Sequence, residues 1–493
     1  MRDDVDPKPS TGRLFLTVFP SIMLPMFLAV VDQTIVATAL PAIAASLGGV
    51  ERISWIVVAY LVATTVAAPV YGQLRDVYSG RLMLIVALSI FIAASIFCAF
   101  ATSIEMLAAG RILQGLGGGG LMTLSQALIG ETIPPRERAR CQGYLAAVMV
   151  TSSTFGPVAG GYLTQHFGWR SIFMVNLPLG LIALLSSLRL PSRPFRDQPW
   201  TFDTLGLVLL VVFIAPALLA LDQLRSGQPG VLPVFVVMLA LALAALVALI
   251  RHERRVAFPL LPIQLLRQPA IWRSDALAAC HGATLVSLLT FLPLWMRVGQ
   301  GRSAAQTGLM LLPMVFGIGA GSMLTGRIVS LTGRTTIFPS IALIFLTLGQ
   351  IAFALWSGAL GPRMLGAFLF MQGLFMGTVM GVVQVIVQNA AGNASLGAAA
   401  ASVQLSRSIG AAVGTALVGT VLFATLAAGD AETARLFASL IQRGPDVLAA
   451  LPADRQALVR TEIAHAFRAA FLAVSVFAAA GMVIAWTIPA RRI

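Results

Sequence analysis

Apolar residues fill this chain in long unbroken runs and do not alternate with polar ones. The runs recur at about 20 residues, the length at which an α-helix crosses the hydrocarbon of a bilayer. A membrane barrel would instead show strands in which every second residue is apolar. Fourteen spans are predicted, at about 14–40, 53–74, 82–102, 107–130, 142–163, 171–190, 203–221, 231–250, 273–296, 304–330, 336–357, 363–388, 402–426 and 466–488. Helices satisfy their own backbone groups, as lipid requires, so an all-α polytopic membrane protein is the expected fold class.

Polar positions between the runs suggest an orientation. With the N-terminus inside, the inner loops hold Arg75 and Arg81, "PPRERAR" (134–140), then Arg189, Arg193 and Arg196. Further along they hold "RHERR" (251–255), Arg267, Arg273, Arg327, Arg334, Arg491 and Arg492. Outer loops carry single basic residues such as Arg52, Arg170 and Arg363. This asymmetry follows the positive-inside rule and places both termini in the cytoplasm. The opening "MRDDVDPKPSTGR" has no signal cleavage pattern, so the first span is expected to be retained.

Composition agrees with the runs. Of 493 residues, 58% are hydrophobic and 11% charged, with mean hydropathy +0.89. A soluble chain carries about 25% charged residues. The net charge of +14 would suggest nucleic acid in a soluble protein. Here the inner loops account for it, and no nucleic-acid partner is expected. Cys98, Cys141 and Cys280 match no disulfide framework or metal spacing. The loops offer no nucleophile–base pair or metal set, so neither an enzyme nor a bound cofactor is expected.

A faint internal repeat suggests the organisation. "GQLRDVYSGR" (72–81) and "GRIVSLTGRT" (326–335) share a glycine, an aliphatic residue two positions on, and a Gly/Arg turn. Duplicated halves are common in secondary transporters. The match pairs the first six spans with the last six. It gives an N-terminal bundle at 1–190, a two-helix insertion with basic linkers at 191–270, and a C-terminal bundle at 271–493. The hydrophilic segment 427–465 precedes the last span. Its "ARLFASLI" and "RQALVRTEIAHAF" stretches have helical spacing and predict short amphipathic helices on the outer surface.

A few polar residues interrupt the runs. Asp32 sits in "MFLAVVDQTIVATALP" (26–41). A charge in mid-span costs about 2.5–3.5 kcal/mol on insertion scales, so it faces a cavity or a partner. It is either a protonation or cation site, or a packing carboxylate. Arg111, in "GRILQGLGGGGLM" (110–122), is the only basic residue in the interior of the first six spans. Counted along their spans at 1.5 Å per residue, Arg111 and Asp32 lie at similar depth below the outer surface, which points to a shared polar pocket. The glycine run lacks the Lys-Ser/Thr of a phosphate loop and reads as close helix packing.

In "GYLAAVMVTSSTFGPVAGGYL" (143–163), Gly143, Ser152, Gly156, Gly160 and Gly161 make a small-residue face, and Pro157 is expected to kink the helix. His281, Gln114 and Gln372 are candidates to line a substrate or proton pathway, although a lone His or Gln also serves as packing. Asp275 is placed near the interface and expected to be solvated. Arg407 is placed near the inner boundary, either snorkelling or taking part in transport. Phe291, Trp295, Phe316, Met371 and Phe375 are candidates for an adaptable apolar pocket, with lipid-facing or packing roles as the alternative.

Together these motifs resemble the major facilitator superfamily, specifically its fourteen-span drug:proton antiporters. "DQTIVATALPAI" (32–43) is similar to the family's first-span signature, and Arg111 with Gln114 to its Arg-x-x-Gln-Gly motif. Gly143, Ser152, Gly156, Pro157, Gly160 and Gly161 occupy the antiporter frame, with Ser152 in place of a glycine. Gly72, Leu74, Asp76 and Arg81 match the loop after span two, while Val77, Ser79 and Gly80 depart from it.

The resemblance implies two six-helix bundles around a central cavity, plus two extra helices. It implies Asp32 and Arg111 in proton coupling, the antiporter motif as a seal, and the Gly72–Asp76–Arg81 loop as a cytoplasmic latch in which Asp76 meets a helix end or an Arg. The implied activity is proton-coupled efflux of hydrophobic or cationic small molecules across the bacterial inner membrane, with the proton gradient as energy source. Membrane lipids and a periplasmic adaptor are the candidate partners. A lipid or lipid-precursor exporter, a nutrient symporter and a non-transporting sensor are the alternatives.

Overall fold

The computed structural model describes residues 11–48, 52–190, 201–226, 231–261, 263–429, 432–433, 436–437, 440 and 451–489. Its elements are helices. In chain order they are α1 (Thr11–Leu47), α2 (Ser54–Val77), α3 (Gly80–Ala99), α4 (Ile104–Thr132), α5 (Pro135–Phe167), α6 (Ser171–Met174), α7 (Asn176–Ser187) and α8 (Thr204–Ser226). There follow α9 (Val231–Glu253), α10 (Ile263–Leu266), α11 (Pro269–Leu294), α12 (Ala304–Thr332), α13 (Ile337–Trp356), α14 (Pro362–Ala391), α15 (Leu396–Ala428) and α16 (Ala453–Thr487). A π-helical turn, Trp295–Gly299, extends α11.

Among the described residues, eleven helices are long and apolar enough to cross a membrane. The other three predicted spans coincide with α4, with α5 and with the apolar pair α6–α7. Glycines in α4 and the charged opening turn of α5 lower their hydropathy without breaking the helix.

Local chemistry sets several boundaries. Ser103 accepts the Met106 N–H and starts α4. Ser303 and Gln306 form a reciprocal capping box at the start of α12. Gly333 ends α12 with φ +67°, a left-handed turn that favours glycine. That turn lies in the second copy of the repeat.

The structure differs from expectation in one element. "RQALVRTEIAHAF" is not a separate surface helix but the opening of α16, which runs unbroken into the last span. Its apolar residues Val459, Ile463 and Phe467 are buried, continuing the stripe of the membrane helix. Most of "ARLFASLI", and Arg193, Arg196, Arg491 and Arg492, lie outside the described residues.

The chain groups into two compact units. Unit 1 is residues 1–133, 155–200 and 396–398; unit 2 is residues 134–154, 201–395 and 399–493. The two units divide α5 and the first turn of α15 between them. Unit 1 buries an apolar cluster that includes Val31, Ile35, Leu107 and Phe173. In unit 2, Trp295, Phe353 and Phe471 meet edge to face within a larger core. The inserted pair α8 and α9 leaves most of its surface apolar and open. Only 22% and 17% of their apolar windows are buried, as suits helices facing lipid.

Candidate functional site

The site in unit 1 depends on how closely α4 approaches its neighbours. A Cβ on Gly115 would lie 2.7 Å from the Tyr60 carbonyl of α2, and one on Gly117 would lie 2.8 Å from the Ala87 carbonyl of α3. A Cβ on Gly119 would strike the Thr64 carbonyl of α2. The glycine run is therefore a packing device, which lets α4 wedge between two helices. Arg111 and Gln114 sit one turn apart on α4, so they share a face.

That face meets Asp32 of α1. Arg111 Nη1 donates to Asp32 Oδ2 at 2.6 Å and to Gln114 Oε1 at 2.7 Å. Gln114 Nε2 donates to Asp32 Oδ1 at 2.8 Å and to Ser95 Oγ of α3 at 2.8 Å. Asn176 Nδ2, at the first position of α7, also donates to Asp32 Oδ1, at 2.7 Å. The Arg111 guanidinium lies 3.9 Å from the centre of the Tyr60 ring. Asp32 is 0% exposed and Arg111 2%.

The chemistry follows from the count. Asp32 accepts three hydrogen bonds, one from a cation, and the pair is neutral as a unit. Burial makes each partner costly without the other. A proton on Asp32 would remove the counter-charge of Arg111 and force the cluster to rearrange. The Ser95 hydroxyl donates to the Phe91 carbonyl at 2.8 Å, so the network ends on the backbone of α3.

The antiporter-frame residues of α5 divide between the units. Gly143 packs in unit 2, where a Cβ would lie 2.8 Å from the Ser322 carbonyl of α12. Gly156 and Gly160 pack in unit 1 against Thr34, Ile35 and Thr38 of α1, within two turns of Asp32. Ser152 is buried and returns its hydroxyl to the Val148 carbonyl at 2.6 Å, so it fits where the frame has glycine. The helix continues through Pro157, and Gly161 has nothing within 4 Å of a Cβ position.

Asp76, near the end of α2, accepts the Gly397 N–H at 2.8 Å and the Ala398 N–H at 3.0 Å. These are unsatisfied donors of the first turn of α15, where an acid is favoured. Arg75 donates to Asp76 at 2.9 Å and to Glu131 at 2.6 Å. Gly397, lacking a Cβ, lets its own backbone close on the Gly72 carbonyl. Arg81 takes no part in this cluster and donates to the Leu190 carbonyl at 3.1 Å.

Unit 2 brings fewer of the candidates together. His281 is 5% exposed with Nδ1 unpartnered, and lies beside Arg407, which donates to Gln404. Gln372 accepts from Gln350 at 3.5 Å, a bond between α14 and α13. Asp275 corrects an expectation. It is buried rather than solvated, with Ser402 Oγ at 3.4 Å from one oxygen and the other unpartnered. Depth along α11 was visible in sequence, but the face it occupies was not. The five apolar candidates do not share one pocket: Phe291 and Trp295 are buried in the core, Phe316 and Met371 are exposed, and Phe375 stacks on Phe345.

Sequence reasoning missed Ser95, Asn176 and Tyr60 around Asp32, and Arg75 and Glu131 around Asp76. The only signal for the first two was a polar residue in an apolar segment, "FIAASIFC" and "FMVNLPLG".

Comparisons with known proteins agree with this architecture. The family profile of the Major Facilitator Superfamily matches residues 22–415. An uncharacterized MFS-type transporter of Mycobacterium tuberculosis is 32% identical over 340 residues, 68% of this chain and 49% of that one. The chain thus spans about half the length of that relative. Efflux pump FUS6 of Gibberella fujikuroi is 30% identical over 77% of this chain and 70% of its own. Multidrug transporter protein MdtP of Bacillus subtilis is 30% identical over 67% and 60%. Two solved structures share the fold. The human organic anion transporter MFSD10 has a TM-score of 0.66 at 16% identity, covering 97% of this chain and 100% of that one. The proton:xylose symporter XylE has 0.64 at 12%, covering 98% of each. With its helical membrane fold and a match over most of its length, the chain belongs to the Major Facilitator Superfamily and is an integral membrane protein.

Proposed function

We propose that this transporter exports hydrophobic or cationic small molecules in exchange for protons. The observation that carries this reading is the buried Asp32–Arg111 pair, with Gln114 and Asn176 donating to the same carboxylate. Such a cluster changes its net charge with one proton and sits sealed from solvent, as a coupling site must in one of its states. Relatives named as efflux pump and multidrug transporter support the outward direction.

In this reading the bacterial cytoplasmic membrane holds the chain with both termini inside. The proton gradient is the energy source, and no cofactor takes part. A proton entering down the membrane potential gains about 2.3 kcal/mol per 100 mV. Protonation of Asp32 from outside releases Arg111, and the two states then differ in affinity for proton and substrate, as coupling requires. Gly156 and Gly160, seated on α1 beside this cluster, keep that side of the pathway closed. Asp76, holding the first turn of α15, belongs to the inner gate. His281 and Gln372 are pathway-lining candidates. A periplasmic adaptor remains the candidate partner.

The test is transport in proteoliposomes with an imposed pH gradient and a panel of lipophilic cations, neutral drugs and lipids. Wild type is expected to move lipophilic cations and protons in opposite directions, and Asp32→Asn neither. Transport of lipids alone would replace drug efflux with lipid export. Accumulation with the proton would make it a symporter.

A further inference from the structure

The open end of the α8–α9 hairpin holds two buried acids that the Asp32 cluster does not involve. Asp203 is 6% exposed and Glu253 3%. Asp203 Oδ1 caps α8 by accepting the Gly206 N–H at 2.8 Å, and also meets His252 Nε2 at 2.7 Å. Glu253 Oε2 accepts the Leu261 N–H at 3.1 Å, in the segment that leads to α11. Each acid thus has one oxygen engaged and one free. Asp203 Oδ2 and Glu253 Oε1 have no partner.

The two free oxygens converge on one spot. A Cβ on Gly206 would collide with Asp203 Oδ2 and lie 3.0 Å from Glu253 Oε1. Glycine leaves that spot bare, and both free oxygens lie against it. The charged groups acting on Glu253 are Asp203 and His252. Arg251, Arg254 and Arg255, the nearest basic residues in sequence, are exposed and make no ion pair with either acid. Two ionised carboxylates in such a place repel, and one of them gives way. Among the described residues no group of three donors suits a metal ion. A single hydrogen held between the two oxygens would answer that repulsion.

We propose that Asp203 and Glu253 form a proton-binding pair in which one carboxyl donates to the other's carboxylate, fastening the start of α8 to the end of α9 and the segment entering α11. The proton comes from bulk water, and no other bond forms or breaks. A charge-assisted O–H···O bond replaces a repulsion, so the pair is tight when protonated and loosens when the proton leaves. Because the folded pair binds one proton more than the unfolded chain, its stabilisation is present at low pH and lost as pH rises.

Infrared titration of the full chain in lipid nanodiscs tests this without reference to transport. Wild type carrying isotope-labelled glutamate or aspartate is expected to show one protonated carboxyl at neutral pH that disappears on alkalinisation. Glu253→Gln and Asp203→Asn should each lack it. Glu253→Gln, whose amide supplies a permanent N–H to Asp203, should also flatten the fall of melting temperature with pH by a slope of about one proton. An unchanged slope, or a wild type with no protonated carboxyl that Glu253→Gln removes, would overturn the proposal in favour of two ionised acids bridged by water. If neither variant accumulates, the labelled wild-type titration alone decides.

Discussion

Arg111 Nη1 lies 2.6 Å from Asp32 Oδ2, and neither side chain reaches solvent. Removing one charge of a buried pair leaves the other uncompensated, at a cost of about 3–5 kcal/mol. Asp32→Asn keeps the volume and a carbonyl acceptor but leaves Arg111 without a counter-charge. We expect the variant to insert, because insertion depends on the apolar runs, and to melt well below wild type. Proton-coupled efflux should fall to background. Full drug resistance in cells expressing Asp32→Asn would rule out a coupling role for the acid.

Arg111→Lys separates charge from geometry. Lysine keeps the cation but loses the planar guanidinium that lies over the Tyr60 ring, and its shorter, non-planar head must leave that position to reach Asp32 and Gln114. Transport by Arg111→Lys should drop about tenfold or more, for a loss of roughly 1.4 kcal/mol in the transition state. Initial rates in proteoliposomes measure this, and a lysine variant at wild-type rate would show that charge alone suffices.

The α4 glycines make a steric prediction. A methyl at Gly119 meets the Thr64 carbonyl, a backbone atom that cannot swing aside. Overpacking of this kind costs about 1–3 kcal/mol and would shift the face that presents Arg111. Gly161→Ala is the control, since nothing lies within 4 Å of its Cβ position. Gly119→Ala should lower both melting temperature and transport, while Gly161→Ala should leave both near wild type. The same contrast holds within the antiporter frame: Gly156→Ala would strike Thr34, two residues from Asp32.

The legible and illegible parts of the site have a common physical origin. Asp32 and Arg111 were visible because a charge in an apolar run is costly enough to need a reason. Gln114 followed from its one-turn spacing to Arg111. Ser95 and Asn176 were not visible as partners, because a small polar residue in a membrane helix is often satisfied by its own backbone. Thr65, Ser152 and Ser187 in this chain are so satisfied. Only three-dimensional convergence separates the two cases. The helical pattern gave the spans, since lipid leaves few alternatives, yet it could not say that residues 455–467 continue into α16. Depth along α11 likewise could not show that Asp275 points inward.

Asp76 supplies the last prediction. Its two oxygens accept two N–H groups of the first turn of α15, which otherwise have no partner within the helix. Arg75, itself tied to Glu131, holds the carboxylate in place. Replacing a capping side chain with alanine costs about 0.5–2 kcal/mol. Asp76→Ala should therefore speed amide exchange at Gly397 and Ala398 by roughly 2- to 30-fold, the factor that such an energy gives. Arg81→Ala should leave those amides unchanged, because Arg81 donates to the Leu190 carbonyl instead. Hydrogen exchange read by mass spectrometry over residues 396–400 separates the two variants. Equal exchange in Asp76→Ala and wild type would mean that the first turn of α15 is held by packing, with Asp76 a bystander.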